Sequence, residues 1–309
     1  MIATIAPTHP PPTWDPPADN LAAPTKPQPN RHDVSTTINY YKDPGDGSAP
    51  MPIVIADNTV RNERPHTPRP TTVRDVTGSE AAYTLDAQGF QYVRHASKLR
   101  GLADFQDDAL VRGEYYPEAV RLLKDVTGAS RIFLFDHKTR CGPSNWHKLG
   151  KGNRSSRGPL LRAHVDQSYA GAGLVLRRWF ADEADELVKR RYQIVNLWRP
   201  IKPISKSPLA VADATSIPDT DLIPGSIIYG SPAVDRDETW TILPPSPHHP
   251  HRWYYKHGQR PDEVLLIKCF DSCETAAARR VPHTAFEDAE AVDGEDRESI
   301  ETRALVFYD

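Results

Sequence analysis

The chain has 309 residues, a formal net charge of −3, and 38% hydrophobic against 26% charged residues. That length excludes a disulfide mini-domain and suits one large domain or two ordinary ones; the absent basic excess excludes a dedicated nucleic-acid binder, which must neutralise phosphates. Thirty prolines, about twice the ordinary share, exclude a mostly helical fold and suit strands and loops.

Residues 1–30 carry nine prolines and little apolar periodicity, so 1–35 reads as an extended or disordered arm and 36–309 as a single domain. Residues 36–42 read as a first strand, 60–73 as a loop and 81–97 as a short helix. The segment 115–126 is a stronger helix, with Pro117 in its first turn and apolar residues three and four apart. Arg131–Asp136 is a buried-strand candidate, and a Gly-rich, basic loop follows at 147–158. Ala170-Gly-Ala-Gly-Leu174 follows no clear strand and lacks the distant acidic residue of a dinucleotide site, so it reads as a flexible turn. An amphipathic helix is expected at 177–190. Strands then recur at Tyr192–Trp198, Leu209–Ala212, Ser226–Tyr229, Thr239–Leu243, Arg252–Lys256, Val264–Phe270 and Ile300–Tyr308, separated by prolines and glycines. Helices early and short strands late give an α+β fold with one β core, a sandwich or barrel.

Cys141, Cys269 and Cys273 are too few and too odd in number for a disulfide framework. They fit a reducing compartment and small buried thiols. No apolar run reaches the roughly 20 residues of a membrane span, and the N-terminus has no secretory pattern. The expected location is cytoplasmic, without nucleic-acid or membrane partners. The oligomeric state stays open, a homodimer included.

The chemistry concentrates at His164-Val-Asp166. In an extended segment alternate side chains share a face, which sets an imidazole beside a carboxylate. With one more histidine these make the facial triad of non-haem Fe(II) oxygenases, which leaves positions on the metal open. Two distal histidines compete. His251 opens His-Arg-Trp-Tyr-Tyr255; His283 follows the apolar strand at 263–271 and precedes Arg297-Glu-Ser299. An arginine in that place suits a two-pronged grip on a carboxylate, and Ser299 lies on the same strand face.

With these stretches, and with Asn196-Leu-Trp-Arg-Pro200, Pro208-Leu-Ala-Val-Ala-Asp213 and Pro282-His-Thr-Ala-Phe286, the chain resembles the Fe(II)- and 2-oxoglutarate-dependent oxygenases. More narrowly it resembles their mostly fungal group, which includes the aspergillic-acid hydroxylase/desaturase, gibberellin desaturases and the cephalosporin 7-hydroxylase component. The resemblance covers roughly 130–309. It implies a double-stranded β-helix, a cupin-like jelly roll with flanking helices. It implies Fe(II) held by His164, Asp166 and His283, with 2-oxoglutarate and O2 as co-substrates. Arg297 with Ser299 would hold the distal carboxylate of 2-oxoglutarate. Arg303, on the same strand parity, is the rival for that role or a clamp on the substrate. His251, Arg199, His137 and Tyr255 are expected at the pocket wall or on the substrate, with His251 also open as a replacement for His283. The implied substrate is a small amino-acid-derived or other specialised metabolite, which would be hydroxylated, desaturated or ring-closed with release of succinate and CO2. Rival readings are a non-catalytic cupin-like binding module and an iron oxidase that needs no 2-oxoglutarate.

Overall fold

The computed structural model describes residues 31–56, 59–145, 158–229 and 236–309. The expected arm lies outside them up to residue 30, as does the Gly-rich loop apart from Gly158. Fifteen strands among the described residues form two sheets in a mixed, mostly β architecture. The first sheet runs β1 (Val34–Tyr41), β4 (His66–Asp75), β12 (Trp253–Tyr255), β9 (Leu209–Ala212), β14 (His283–Ala285), β7 (His164–Val165), β11 (Arg236–Ile242), β10 (Leu222–Tyr229), β2 (Ile53–Ala56) and β3 (Thr59–Arg61). The second runs β5 (Phe90–Arg94), β13 (Glu263–Asp271), β8 (Tyr192–Pro200), β15 (Glu298–Phe307) and β6 (Arg131–Cys141). The helices are α1 (Gly101–Gln106), α2 (Asp108–Leu110), α3 (Tyr116–Thr127), α4 (Tyr169–Trp179) and α5 (Ala184–Leu187).

The five-stranded sheet is the middle layer, and the alternation of side chains along each strand decides what each residue meets. Every residue of β8 is buried. Ile194 and Trp198 pack with Val211, Trp253 and Ile242 of the larger sheet. Val195 and Leu197, on the other face, pack with Phe105, Leu122 and Leu123 on the helical side. A strand covered on both faces reads as a continuous apolar run, so a polar residue inside it stands out. Truncating Trp198 to alanine would cost about 3–5 kcal/mol.

The late strands lie where the sequence puts them, within a few residues. Among the early segments, the strand at 36–42, the helix at 115–126 and the strand opening at Arg131 also lie as expected, but three others do not. Residues 60–73 are no loop: they contain β3's end and most of β4, which pairs with β1 from His66 to Val73 and with β12 only at Val73–Asp75. The half holding Pro68 and Pro70 is flanked by β1 alone, and an edge-like position tolerates the missing N–H. The helix expected at 81–97 is a single helical turn at Glu80–Ala82 followed by β5. Gly89 separates them at φ 88°, and a Cβ there would lie 2.3 Å from Val281. The helix expected at 177–190 is split into α4 and α5, and the supposed turn at 170–174 is the first half of α4. Ser168 caps α4 by accepting from the Gly171 N–H. A Cβ on Gly171 would lie 2.0 Å from the Glu238 carbonyl, so its glycine lets the helix lie against β11. The three cysteines are free, and only Cys269 is fully buried.

Candidate metal centre

The narrow strand β7 lies between β14 and β11, and its His164 is the direct cross-strand neighbour of His283. The two imidazole centroids are 4.5 Å apart. His164 Nδ1 lies 2.9 Å from the Arg162 carbonyl, and His283 Nδ1 lies 3.2 Å from the Val281 carbonyl. A carbonyl only accepts, so each Nδ1 carries the hydrogen and each Nε2 keeps its lone pair. Burial, reinforced by the neighbouring His164, holds the His283 imidazole below its ordinary pKa and hence neutral.

Both Nε2 atoms face Asp166. Its Oδ1 is 3.5 Å from His164 Nε2 and 3.9 Å from His283 Nε2. The other oxygen, Oδ2, accepts from Asn196 Nδ2 at 2.7 Å and meets Arg303 Nε at 3.1 Å. Burial would raise the Asp166 pKa, but the Arg303 guanidinium outweighs it and holds the carboxyl well below the usual range. One donor atom from each of His164, Asp166 and His283 lies within 4.8 Å of the others. Two imidazoles and a carboxylate on this scale are the donor set of a facial triad.

Along β15, Ser299, Glu301 and Arg303 share one face, and Arg297 immediately precedes the strand. Arg297 is buried, donates to the Ser207 carbonyl at 2.8 Å and lies 5.5 Å over the Trp198 ring. Burial, with Arg140 nearby, pushes its pKa down to about 9. Its Nε and the Ser299 hydroxyl are buried without a hydrogen-bond partner. Arg303 is the opposite case. It meets Asp166 and Glu301 each at 3.1 Å and Asp136 at 3.3 Å.

The remaining expected residues lie apart from this cluster. His251 Nε2 is 2.9 Å from Asp221, and its ring packs against Tyr40. Arg199 is buried under Tyr115, the His95 and Pro261 carbonyls and the His95 ring, and ties β8 to its surroundings. His137 faces Tyr116 and Asp108 on the helical side. Tyr255 donates to the His32 carbonyl and packs on Phe286. Each was expected at the pocket because it is polar near a motif; each instead satisfies buried neighbours. Asn196 received no role from the sequence, although an amide inside the apolar run Ile194–Trp198 is the kind of signal that marks one. A cleft opens over His164 and Asp166, with Lys138, Arg140, Arg162 and Arg303 in its wall.

A family model described as an oxidoreductase/YMDC permease-like domain matches residues 38–307. The hydroxylase/desaturase efuI of Hormonema carpetanum is 34% identical over 294 residues, covering 89% of this chain and 95% of that protein. The alpha-ketoglutarate-dependent dioxygenase phiK of a fungal species is 32% identical over 284 residues, covering 89% of this chain and 96% of that protein. The chain belongs to this family of Fe(II)- and 2-oxoglutarate-dependent oxygenases. A solved iron and alpha-ketoglutarate-dependent endoperoxidase, NvfI, superposes with a TM-score of 0.72 at 25% identity, covering 89% of this chain and 98% of that one.

For an oxygenase of this family the donors present fit what must be held. Three ligand atoms, from two imidazoles and a carboxylate, suit a divalent ion. The unfilled donors of Arg297 and Ser299 suit an anionic oxygen. The enzyme is a dioxygenase, with iron, 2-oxoglutarate and O2 as its requirements. None of its described helices is long and apolar enough to cross a membrane.

Proposed function

We propose that His164, Asp166 and His283 hold Fe(II), and that Arg297 with Ser299 grips the distal carboxylate of 2-oxoglutarate, on a double-stranded β-helix formed by the two sheets. The substrate is a small specialised or amino-acid-derived metabolite, which loses a hydrogen and is hydroxylated, desaturated or ring-closed. The observation carrying this reading is the convergence of two imidazole lone pairs on one carboxylate oxygen, with both Nδ1–H groups anchored on backbone carbonyls. Bound iron, with 2-oxoglutarate and O2, supplies the one-electron oxidation that no side chain supplies. The chain's own residues do the rest. The carbonyls of Arg162 and Val281 fix the tautomers. The Trp198 ring and the Ser207 carbonyl hold the Arg297 fork in place. The apolar side chains of β8 and β13 keep bulk water from the inner face.

Anaerobic titration of the purified protein with Fe(II) and 2-oxoglutarate tests the reading. A visible charge-transfer band that needs both components is expected, with succinate release in air once a fitting metabolite is added. Iron binding without any response to 2-oxoglutarate would favour an iron oxidase. No metal binding would leave a cupin-like binding module.

A further inference from the structure

The two oxygens of Asp166 are divided between different neighbours. Oδ1 faces the histidine Nε2 atoms at 3.5 and 3.9 Å, while Oδ2 is taken by Asn196 at 2.7 Å and Arg303 at 3.1 Å. Asn196 and Arg303 are direct cross-strand partners on β8 and β15, so both come from the rigid middle sheet, whereas Asp166 comes from the segment after β7. Asn196 is fully buried, and its own carbonyl oxygen has no partner; its orientation is set by the Asp166 carboxylate. Arg303 is braced by Glu301 and Asp136. Against β8 the register runs unbroken through Arg303 and Ala304, and the irregularity at this level lies on the β6 side, where Phe135 is the extra residue.

We propose that Asn196 and Arg303 are positioning residues that withhold Oδ2 of Asp166 from the metal, so that the carboxylate binds through Oδ1 alone. The inference rests on the metal reading above and deepens it. A divalent ion attracts both oxygens of a carboxylate, and a two-oxygen grip would fill one of the positions that a facial triad leaves open. A chelating co-substrate and O2 need those positions. The hydrogen bonds from a neutral amide and a charge-assisted guanidinium hold Oδ2 back. Arg303 then belongs to the ligand's support, which explains why its three edges are already occupied by carboxylates.

Two measurements decide it. A crystal structure of the wild-type protein loaded with Mn(II) alone should place one Asp166 oxygen on the metal and leave the other on Asn196 and Arg303; both oxygens on the metal overturns the proposal. Absence of Mn(II) from the His164–Asp166–His283 cluster overturns the metal reading itself, and this inference with it. In solution, Asn196→Ala should keep Mn(II) affinity within about threefold while weakening 2-oxoglutarate binding to the metal-loaded protein by about tenfold, the lower end of what outer-shell partners usually contribute. A neutral amide is no carboxylate clamp, so this variant isolates the effect from Arg297. Equal losses for metal and co-substrate, or no loss of either, overturns the proposal. If Asn196→Ala does not fold, the Mn(II) structure still gives the answer.

Discussion

Two arginines, one within β15 and one just before it, have opposite circumstances. Arg303, inside the strand, touches three carboxylates. Arg297, just before it, touches one carbonyl and a tryptophan ring and keeps a buried Nε with nothing to donate to. Both are cations desolvated by burial. Arg303 is held charged by its acids, well above the ordinary range, whereas Arg297 is pushed down to about 9. An isolated buried cation is costly, and proteins keep one where an anion arrives from outside. The saturated arginine fits the supporting role proposed for it beside Asp166, and the unsaturated one fits the proposed carboxylate grip.

The largest expected effect removes the anchor beside Arg303. Asp166→Ala takes a ligand from the metal and a counter-ion from Arg303, so turnover should fall by more than the roughly 100-fold typical of outer-shell losses, with metal absent from the purified protein. Full metal occupancy in that variant would erase the distinction between the two arginines. Next, 2-oxoglutarate at about 100 times its Kd should stabilise the metal-loaded wild type by about 2.7 kcal/mol, read as a higher melting temperature. Arg297→Ala should abolish most of that shift. If Arg303→Ala abolishes it and Arg297→Ala does not, the roles are reversed.

A milder change sharpens the contrast. Arg297→Lys keeps the charge but loses the planar fork. A lost charge-assisted hydrogen bond costs about 1.5–3 kcal/mol, so KM for 2-oxoglutarate should rise at least about tenfold with metal affinity unchanged. Ser299→Ala removes one neutral donor worth about 0.5–1.5 kcal/mol and should raise the same KM by only about threefold. The smallest effect on the metal is expected at His251. His251→Ala leaves the cluster intact and breaks the pair with Asp221, so metal content should stay at the wild-type level while the melting temperature drops. Metal loss there would restore His251 as a ligand candidate.

The late half of the molecule was legible because its strands are apolar runs between prolines and glycines, and its ligands stand in short motifs with fixed parity. The early half was legible only in part, at β1, α3 and the start of β6. β4 holds Pro68 and Pro70, which argue against a strand unless one knows that β1 alone flanks them. The helical pattern at 81–97 carries no mark that Gly89 must turn in the left-handed region. Gly171 and Gly173 look like a turn until the contact with Glu238 explains the first of them. Within the site, spacing singled out His164 with Asp166 and left His283 and His251 in competition; the resemblance to the family supplied the rest of the proposed set, Arg297 and Ser299 included. Arg303 was read as a rival clamp and Asn196 was given no role, because their contact with Asp166 depends on pairing between β8 and β15. Arg199, His137 and Tyr255 misled because a buried polar group bonded to backbone looks the same in sequence as one aimed at a ligand.

His164 and His283 face each other across neighbouring strands, yet they come from distant parts of the chain, and β7 is only two residues long. Such a pairing has little local structure to form it, so its closure entropy falls late in folding. A nascent or partly unfolded chain thus offers Fe(II) at most His164 with Asp166, never the three-ligand set. With the proposed ligands, the iron site is complete only once β7 is enclosed between β14 and β11, so oxygen chemistry would start on a folded chain.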